Sequence, residues 1–337
     1  MKTDLSSLTY EELERVLTEN GEPKFRAGQI FSWFARGVFS FAEMSDLSKP
    51  LRQKLEDTCT AASLTVRKKL ESADGTVKYL FALADGQLIE TVVMTYEHGK
   101  SVCISSQAGC RMGCRFCAST LTGKARDLTA GEMLAQVSFA RREHGISHVV
   151  VMGVGEPLDN YDNLVIFLRN LNDRRGMNLG LRHVSVSTCG LVDRMDALAR
   201  ENFPLTLSVS LHAPDNETRD RLMPVNKKYR VEELIAACHR YLEATGRRIS
   251  FEYTMVRGIN DSPAHARRLA VLVSGMLCHV NVIPVNYVPE RGLYPSDKAT
   301  VRRFCQILER ERVNVTVRRT LGGDINASCG QLRHSEE

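Results

Sequence analysis

The pattern of apolar and polar positions changes character twice along the chain. Over the first ~60 residues the apolar side chains recur at helical spacing, and the segments carry helix-start signals. Thr9 precedes YEELERVLTEN, with Glu12 three positions on to complete a capping box. FRAGQIFSWFARG places Phe25, Ile30, Phe31, Trp33 and Phe34 around a second helix ending at Gly37, and SKPLRQKLEDTC predicts a third with Pro50 in its first turn. Their aromatics are expected to form a small core of their own. KYLFAL and QLIETVVMTY then flank Ala-Asp-Gly, which predicts two antiparallel strands around residues 78 to 96.

From residue 101 the pattern alternates between β-branched strands and amphipathic helices. The strands are SVCIS, HVVVMGV, HVSVST, LTLSVSL, ISFEYTM, HVNVIPV and VNVTVR; TAGEMLAQVSFARREHG and RVEELIAACHRYLEATG are helical patterns between them. Continuous apolar strands separated by helices predict an α/β fold with a parallel sheet, closed as a complete or partial (β/α) barrel. The expected division is a helical accessory domain over 1–75, a hairpin extension over 76–100 and a core domain over 101–337. In such folds chemistry gathers at the C-terminal ends of the strands. Polar or glycine-rich motifs stand there repeatedly: Cys110–Cys117 after the first strand, GVGEP (153–157) after the second, STCG (187–190) after the third, SLH (210–212) after the fourth and Asn286 after the sixth.

Composition narrows the classes. At 337 residues with 43% hydrophobic and 25% charged, the chain can bury a full core and is not disordered. Its N-terminus lacks a basic region followed by an apolar run, and no apolar stretch approaches the ~20 residues of a membrane span. A soluble cytoplasmic monomer with no membrane partner is expected. The net charge is +5, with basic pairs such as Arg141-Arg142, Arg174-Arg175, Arg267-Arg268 and Arg318-Arg319. Scattered pairs usually mark solvated faces; they permit a polyanionic partner without establishing one.

The ten cysteines are unevenly placed, which does not fit a secreted disulfide framework. Three of them, Cys110, Cys114 and Cys117, form a C-x3-C-x2-C array within SQAGCRMGCRFCAST. Structural zinc commonly takes four protein ligands as paired C-x2-C units, and no second unit is evident. Three thiolates can instead hold three irons of a 4Fe-4S cluster and leave the fourth iron open to a substrate. A metal staple completed by Cys103 or a histidine is the alternative.

The array resembles the signature of the radical S-adenosylmethionine (SAM) superfamily, with Phe116 at the position of its usual aromatic and GVGEP similar to its GGE-type motif. That resemblance implies a 4Fe-4S cluster on Cys110, Cys114 and Cys117, and SAM bound at the open iron. Glycine allows close backbone approach and a carboxylate suits an ammonium, so Gly155 and Glu156 fit the amino group of SAM.

FRAGQIFSWF, CISSQAGC, GVGEPLDN, STCGLV, SLHAP, RLMPVN and the ending RRTLGGDINASCGQLR further resemble the RlmN family of RNA adenine methyltransferases over nearly the whole chain. The family pattern implies SAM contacts from Gly155, Glu156, Ser187, Ser210, Leu211, His212 and Asn286. It implies Cys329 as the methyl carrier, Cys103 as the second catalytic cysteine and Glu90 as the proton acceptor. Without the resemblance these last three read as two buried thiols and a strand carboxylate.

The implied chemistry has two stages. Carbon 2 of adenine is no nucleophile, so the Cys329 thiolate first takes a methyl from one SAM. A radical from a second SAM then abstracts hydrogen from that methyl, and the methylene adds to the ring. Glu90 would remove the ring proton, and Cys103 would attack the Cys329 sulfur, releasing product and leaving a disulfide bond. Cys103 and Cys329 should therefore lie together at the barrel mouth. The implied substrates are an adenosine of the 23S rRNA peptidyl transferase centre and adenosine 37 of tRNA, with phosphates met by the N-terminal helices and basic pairs. An external one-electron donor of flavodoxin or ferredoxin type is required. The rival readings are Cfr-type methylation at carbon 8, and a non-catalytic metal-stapled RNA-binding protein.

Overall fold

The computed structural model describes residues 2–97 and 99–333. Its centre is a ten-stranded sheet of β1 (Thr65–Glu71), β2 (Val77–Ala82), β3 (Leu88–Tyr96), β4 (Gly99–Ile104), β5 (His148–Val151), β6 (Val184–Thr188), β7 (Thr206–Ser210), β8 (Ile249–Met255), β9 (Cys278–Pro284) and β10 (Val315–Val317). Spatial order follows chain order from β1 to β10, so the sheet is open at both ends: a partial barrel. From β4 onward every pairing is parallel, while β1 to β4 are joined antiparallel.

Helices α1 (Tyr10–Glu19), α2 (Phe25–Ala35) and α3 (Lys49–Thr58) precede the sheet. Between the strands run α4 (Ala130–His144), α5 (Tyr161–Asn172), α6 (Val192–Arg200), α7 (Asn216–Leu222), α8 (Val231–Thr245), α9 (Pro263–Leu272) and α10 (Lys298–Arg310). Their ends follow the sequence signals. Thr9 and Glu12 form the reciprocal capping box of α1, Thr129 and Glu132 that of α4, and α4 and α8 stop at left-handed Gly145 and Gly246.

Two expectations are corrected by packing. The N-terminal aromatics do not form a core of their own: Ile30, Phe31 and Phe34 belong to one apolar cluster continuous with Met133, Val137 and Phe167 of the barrel helices. Ser138 Oγ donates to the Phe34 carbonyl (3.1 Å) and Asn170 Nδ2 to that of Leu8 (2.9 Å). Three short helices cannot cover their own apolar faces, and the outer faces of α4 and α5 complete them. Second, β1 falls inside the helical domain expected over 1–75, just past the ~60 residues whose spacing is helical. TVRKKLE has no apolar alternation because it is a largely exposed edge strand, where lysines oppose edge-to-edge pairing. The hairpin of β2 and β3 forms as expected and continues the main sheet into β4.

Several basic pairs serve the fold. Arg141 Nη1 donates to the Met177 carbonyl (2.7 Å), Arg142 Nη1 to that of Gly37 (3.2 Å), and Arg175 binds Asp173 and Glu11 (both 2.6 Å). No helix among the described residues is long and apolar enough to cross a membrane.

Candidate active site

The loop after β4 carries the cysteine array. Its ends are drawn together by a short antiparallel ladder, Gln107–Gly109 with Lys124–Asp127, and the Cys110 N–H donates to the Gly123 carbonyl (2.8 Å). Gly109, at φ +79°, is required there, since a Cβ would fall 1.9 Å from the Gly123 oxygen. Farther along, Thr120 Oγ1 donates to the carbonyls of Cys114 (3.2 Å) and Cys117 (3.1 Å), and Arg291 Nη2 also reaches the latter (3.2 Å). The backbone is thereby pinned while the three cysteines line one cleft of about 150 Å³. Burial pushes the Cys110 thiol up to about 12 and raises those of Cys114 and Cys117.

The far walls of this cleft are the ends of successive strands. Gly155, Glu156, Ser187, Ser210, His212 and Asn286 all line it; Leu211 does not, being fully buried beneath with its N–H on the Glu252 carbonyl (3.1 Å). Gly155 sits at φ +110°, where a Cβ would come 2.6 Å from Gln107. The Glu156 carboxylate accepts the N–H of Leu158 (3.0 Å) and of Cys189 (2.7 Å), tying the turns after β5 and β6. Burial raises its pKa although the Cys189 N–H works against this. His212 Nδ1 accepts the Thr254 N–H (2.8 Å), and its ring meets Phe116 edge-on at 4.7 Å. Burial, with Arg219 nearby, depresses it to about 3, so the imidazole is neutral.

Cys329 lines this cleft and also a second, smaller cavity that holds Cys103, as the sequence predicts. The two spaces share Met152, Ile283, Asn286, Arg318 and Cys329 as their common wall. The C-terminal loop is held by Asn286 Nδ2 on the Cys329 carbonyl (2.9 Å), the Ala118 N–H on that of Gly330 (2.7 Å) and Ser119 Oγ on that of Leu332 (2.7 Å). Cys103 is buried in the apolar cluster of Val92, Met94, Val154, Ala327 and Leu332, which pushes its thiol up to about 12. All ten cysteines are free thiols, so the expected disulfide between Cys103 and Cys329 is not formed in this structure.

Glu90 stands apart from the two cysteines. It faces another cavity, beside Lys78 and Arg333, while Ala327, Ser328 and Leu332 of the same C-terminal loop line the thiol cavity. It pairs with Lys78 (2.7 Å) and accepts the Arg333 N–H (2.6 Å). Burial raises its pKa against the pull of Lys78.

Sequence reasoning missed three residues that organise the site. Arg219, fully buried, donates to the carbonyls of Cys189 (2.8 Å), Leu211 (3.0 Å) and Ser210 (3.1 Å), joining the loops after β6 and β7. Arg318, read only as half of a basic pair, is the one lysine or arginine lining the cleft among the described residues. Its neighbours Cys329 and Glu252 hold the guanidinium above the usual arginine range. Glu252 is buried; Oε1 accepts from Asn281 Nδ2 (3.1 Å) and Ser250 Oγ (3.2 Å), while Oε2 has no hydrogen-bond partner and lies 3.8 Å from Arg318. A lone acid within the apolar strand ISFEYTM was the available signal.

The donor set fits the implied cofactors. No three His, Cys, Asp or Glu among the described residues converge on a single metal ion; the three cysteines instead surround a cleft whose opposite wall offers a carboxylate and small polar side chains.

Residues 104–270 match the radical SAM superfamily, and residues 3–61 match the ribosomal RNA large subunit methyltransferase N-terminal domain. A probable dual-specificity RNA methyltransferase RlmN from Desulforamulus reducens is 51% identical over 340 aligned positions, covering 100% of this chain and 97% of that one. One from Alkaliphilus oremlandii is 51% identical, with 98% of each chain covered. The crystal structure of a radical SAM methyltransferase from Sphaerobacter thermophilus superposes with a TM-score of 0.95 at 46% identity, over 99% of this chain and 100% of that one. Membership of such an enzyme family carries a 4Fe-4S cluster and SAM with it, and sets aside the non-catalytic metal-stapled RNA-binding protein. Over its whole length and in its fold, the chain belongs to the RlmN family of radical SAM RNA methyltransferases.

Proposed function

We propose that the enzyme methylates carbon 2 of an adenosine in the peptidyl transferase centre of 23S rRNA, and adenosine 37 of tRNA, through a methylated Cys329 and with two SAM consumed per methyl. The observation that carries this reading is that Cys103 and Cys329, 226 positions apart, line one cavity, and that this cavity shares a wall with the three-cysteine cleft. A methyltransferase that passed its methyl directly from SAM to RNA would need no second thiol there.

In this reading Cys110, Cys114 and Cys117 hold the cluster, which when bound supplies the electron that cleaves SAM. Gly155, Glu156, Ser187, Ser210, His212 and Asn286 orient SAM, with Leu211 setting the backbone of the last turn from beneath. Cys329 belongs at once to the SAM cleft and to the thiol cavity, as a carrier must. Cys103, held as a neutral thiol by burial, loses its proton as it attacks the Cys329 sulfur; the disulfide forms while the Cys329 S–C bond breaks, and the departing carbon keeps the electron pair and takes up a proton to become the methyl of the product. Glu90, with its proton affinity raised by burial, accepts the ring proton from behind the C-terminal loop. A flavodoxin- or ferredoxin-type protein supplies electrons from outside. That the relatives are probable dual-specificity RNA methyltransferases supports a second RNA substrate.

Nucleoside mass spectrometry of rRNA and tRNA treated with the cluster-loaded enzyme tests the proposal. 2-Methyladenosine in both is expected, whereas 8-methyladenosine would overturn the choice of carbon in favour of the Cfr-type reaction. Cys103→Ala should accumulate a covalent protein-RNA adduct, and free methylated RNA from that variant would overturn its resolving role.

A further inference from the structure

Only three aromatic side chains among the described residues are exposed to solvent: Phe25, Tyr287 and Tyr294. Two of them are stacked on each other. Tyr287 and Tyr294 have ring centroids 5.4 Å apart at 27° between planes, with 46% and 54% of their surfaces open. Burial therefore gives no account of the pair, and a mutual stack in water is a weak reason to keep two large rings outside the core.

Their position is informative. Both lie on the loop after β9, which begins with Val285 and Asn286 of the cleft wall, so Tyr287 is the next residue outward from the cleft. The loop is fixed to every neighbouring part of the mouth. The Tyr287 carbonyl accepts from Gln331 Nε2 (3.1 Å) on the loop of Cys329, and the Tyr294 carbonyl accepts the Arg257 N–H (3.0 Å) beyond β8. Between them in the chain, Arg291 turns inward, its Nη2 reaching the Cys117 carbonyl on the cysteine loop. Arg257, itself exposed, is held by Nε on the Pro295 carbonyl (3.0 Å), and Arg333 is paired with Glu290 (2.8 Å). The surface thus offers two rings and the Arg257 guanidinium, with the Arg333–Glu290 pair beside them.

A base must be splayed out of its strand to reach the strand-end cleft, so the nucleotides on either side of the target remain at the mouth. We propose that Tyr287 and Tyr294 form a stacking platform for an unpaired nucleobase adjacent to the target adenosine. The proposal rests on the membership of this chain in an RNA methyltransferase family. Aromatic faces accept any base, so the platform would serve single-stranded RNA of differing sequence, with the exposed Arg257 meeting a phosphate beside it.

The test uses cluster-loaded protein and an RNA hairpin carrying 2-aminopurine on either side of the target adenosine. Wild-type enzyme should quench the probe on one side, by stacking. The Tyr287→Ala/Tyr294→Ala double variant should lose that quenching and bind the hairpin about tenfold more weakly, while SAM binding by equilibrium dialysis stays unchanged. Tyr→Phe at both positions should keep quenching and affinity, since a ring suffices. Binding within twofold of wild type with quenching intact in the alanine variant would overturn the proposal. So would equal loss in the phenylalanine variant, which would assign the hydroxyls rather than the faces. Slower cluster reduction by a flavodoxin-type donor with RNA binding unchanged would likewise overturn it and give this surface to the electron donor. A wild-type enzyme that does not bind the hairpin at all would sink the RNA substrate reading beneath it, a separate failure.

Discussion

The two adjoining cavities at the strand ends are built in opposite ways. The larger is walled by loops that each follow a strand of the parallel sheet, and its geometry is fixed by hydrogen bonds between the backbone and buried side chains such as Arg219, Glu156 and His212. The smaller exists because the C-terminal loop folds back over β3 and β4, held by a small apolar cluster and by hydrogen bonds that include those to the carbonyls of Asn326, Cys329, Gly330 and Leu332 and the Arg333 N–H on Glu90. The first is part of the fold's frame. The second is a docked flap, so it can loosen without unfolding the sheet.

The largest effect that would test this contrast is chemical. Cys329→Ala should abolish RNA methylation below detection while leaving SAM binding by equilibrium dialysis within about twofold, because the SAM cleft stands without that thiol. Comparable loss of both would mean that the two cavities are one unit. Next comes Arg219→Ala, which takes the buried donor from the carbonyls of Cys189 and Ser210 and from Asn226 Oδ1, while the Leu211 carbonyl keeps the Ala213 N–H. Unsatisfied buried groups cost about 1–3 kcal/mol each, so denaturant unfolding should report a loss of at least about 3 kcal/mol.

His212 gives a pH signature confined to the frame. Its folded pKa of about 3 lies below the ordinary imidazole value of about 6.5, so the unfolded chain takes up a proton first as pH falls. The stability it contributes is complete above pH 6.5 and declines between 6.5 and 3, by about 1.4 kcal/mol per pH unit for this one group. His212→Asn should flatten that slope in urea unfolding followed across pH. The smallest effect belongs to the flap. Asn286→Ala removes one hydrogen bond to the Cys329 carbonyl, costing about 1 kcal/mol, and peptide mapping after iodoacetamide should find Cys329 alkylated several-fold faster with global stability nearly unchanged.

The legibility of these regions in the sequence differs for a physical reason. Strand and helix periods, capping boxes and terminal glycines are local, and they marked the elements from β4 to β10 because each element buries a face set by its own spacing. The C-x3-C-x2-C array and GVGEP were legible because their ligands lie on single loops. The exposed edge strand β1 was not, since its lysines answer to solvent and carry no apolar alternation. Arg219 carried no local mark of its role, and Glu252 only its place in an apolar strand, because burial is a property of the folded packing.

What the sequence determined by itself was the order of the elements, the ends of the strands where polar motifs collect, and, through its resemblance to a family, the residues to watch. Only the tertiary structure decided that the N-terminal helices share the barrel's core and that Glu90 faces a cavity separate from Cys329. It also made Arg318 the cation between the two thiols and Glu252, and brought Tyr287 against Tyr294 at the mouth. These outcomes depend on contacts between residues far apart in the chain. Such contacts are set by which surfaces the assembled sheet leaves to be covered, and no local period encodes them.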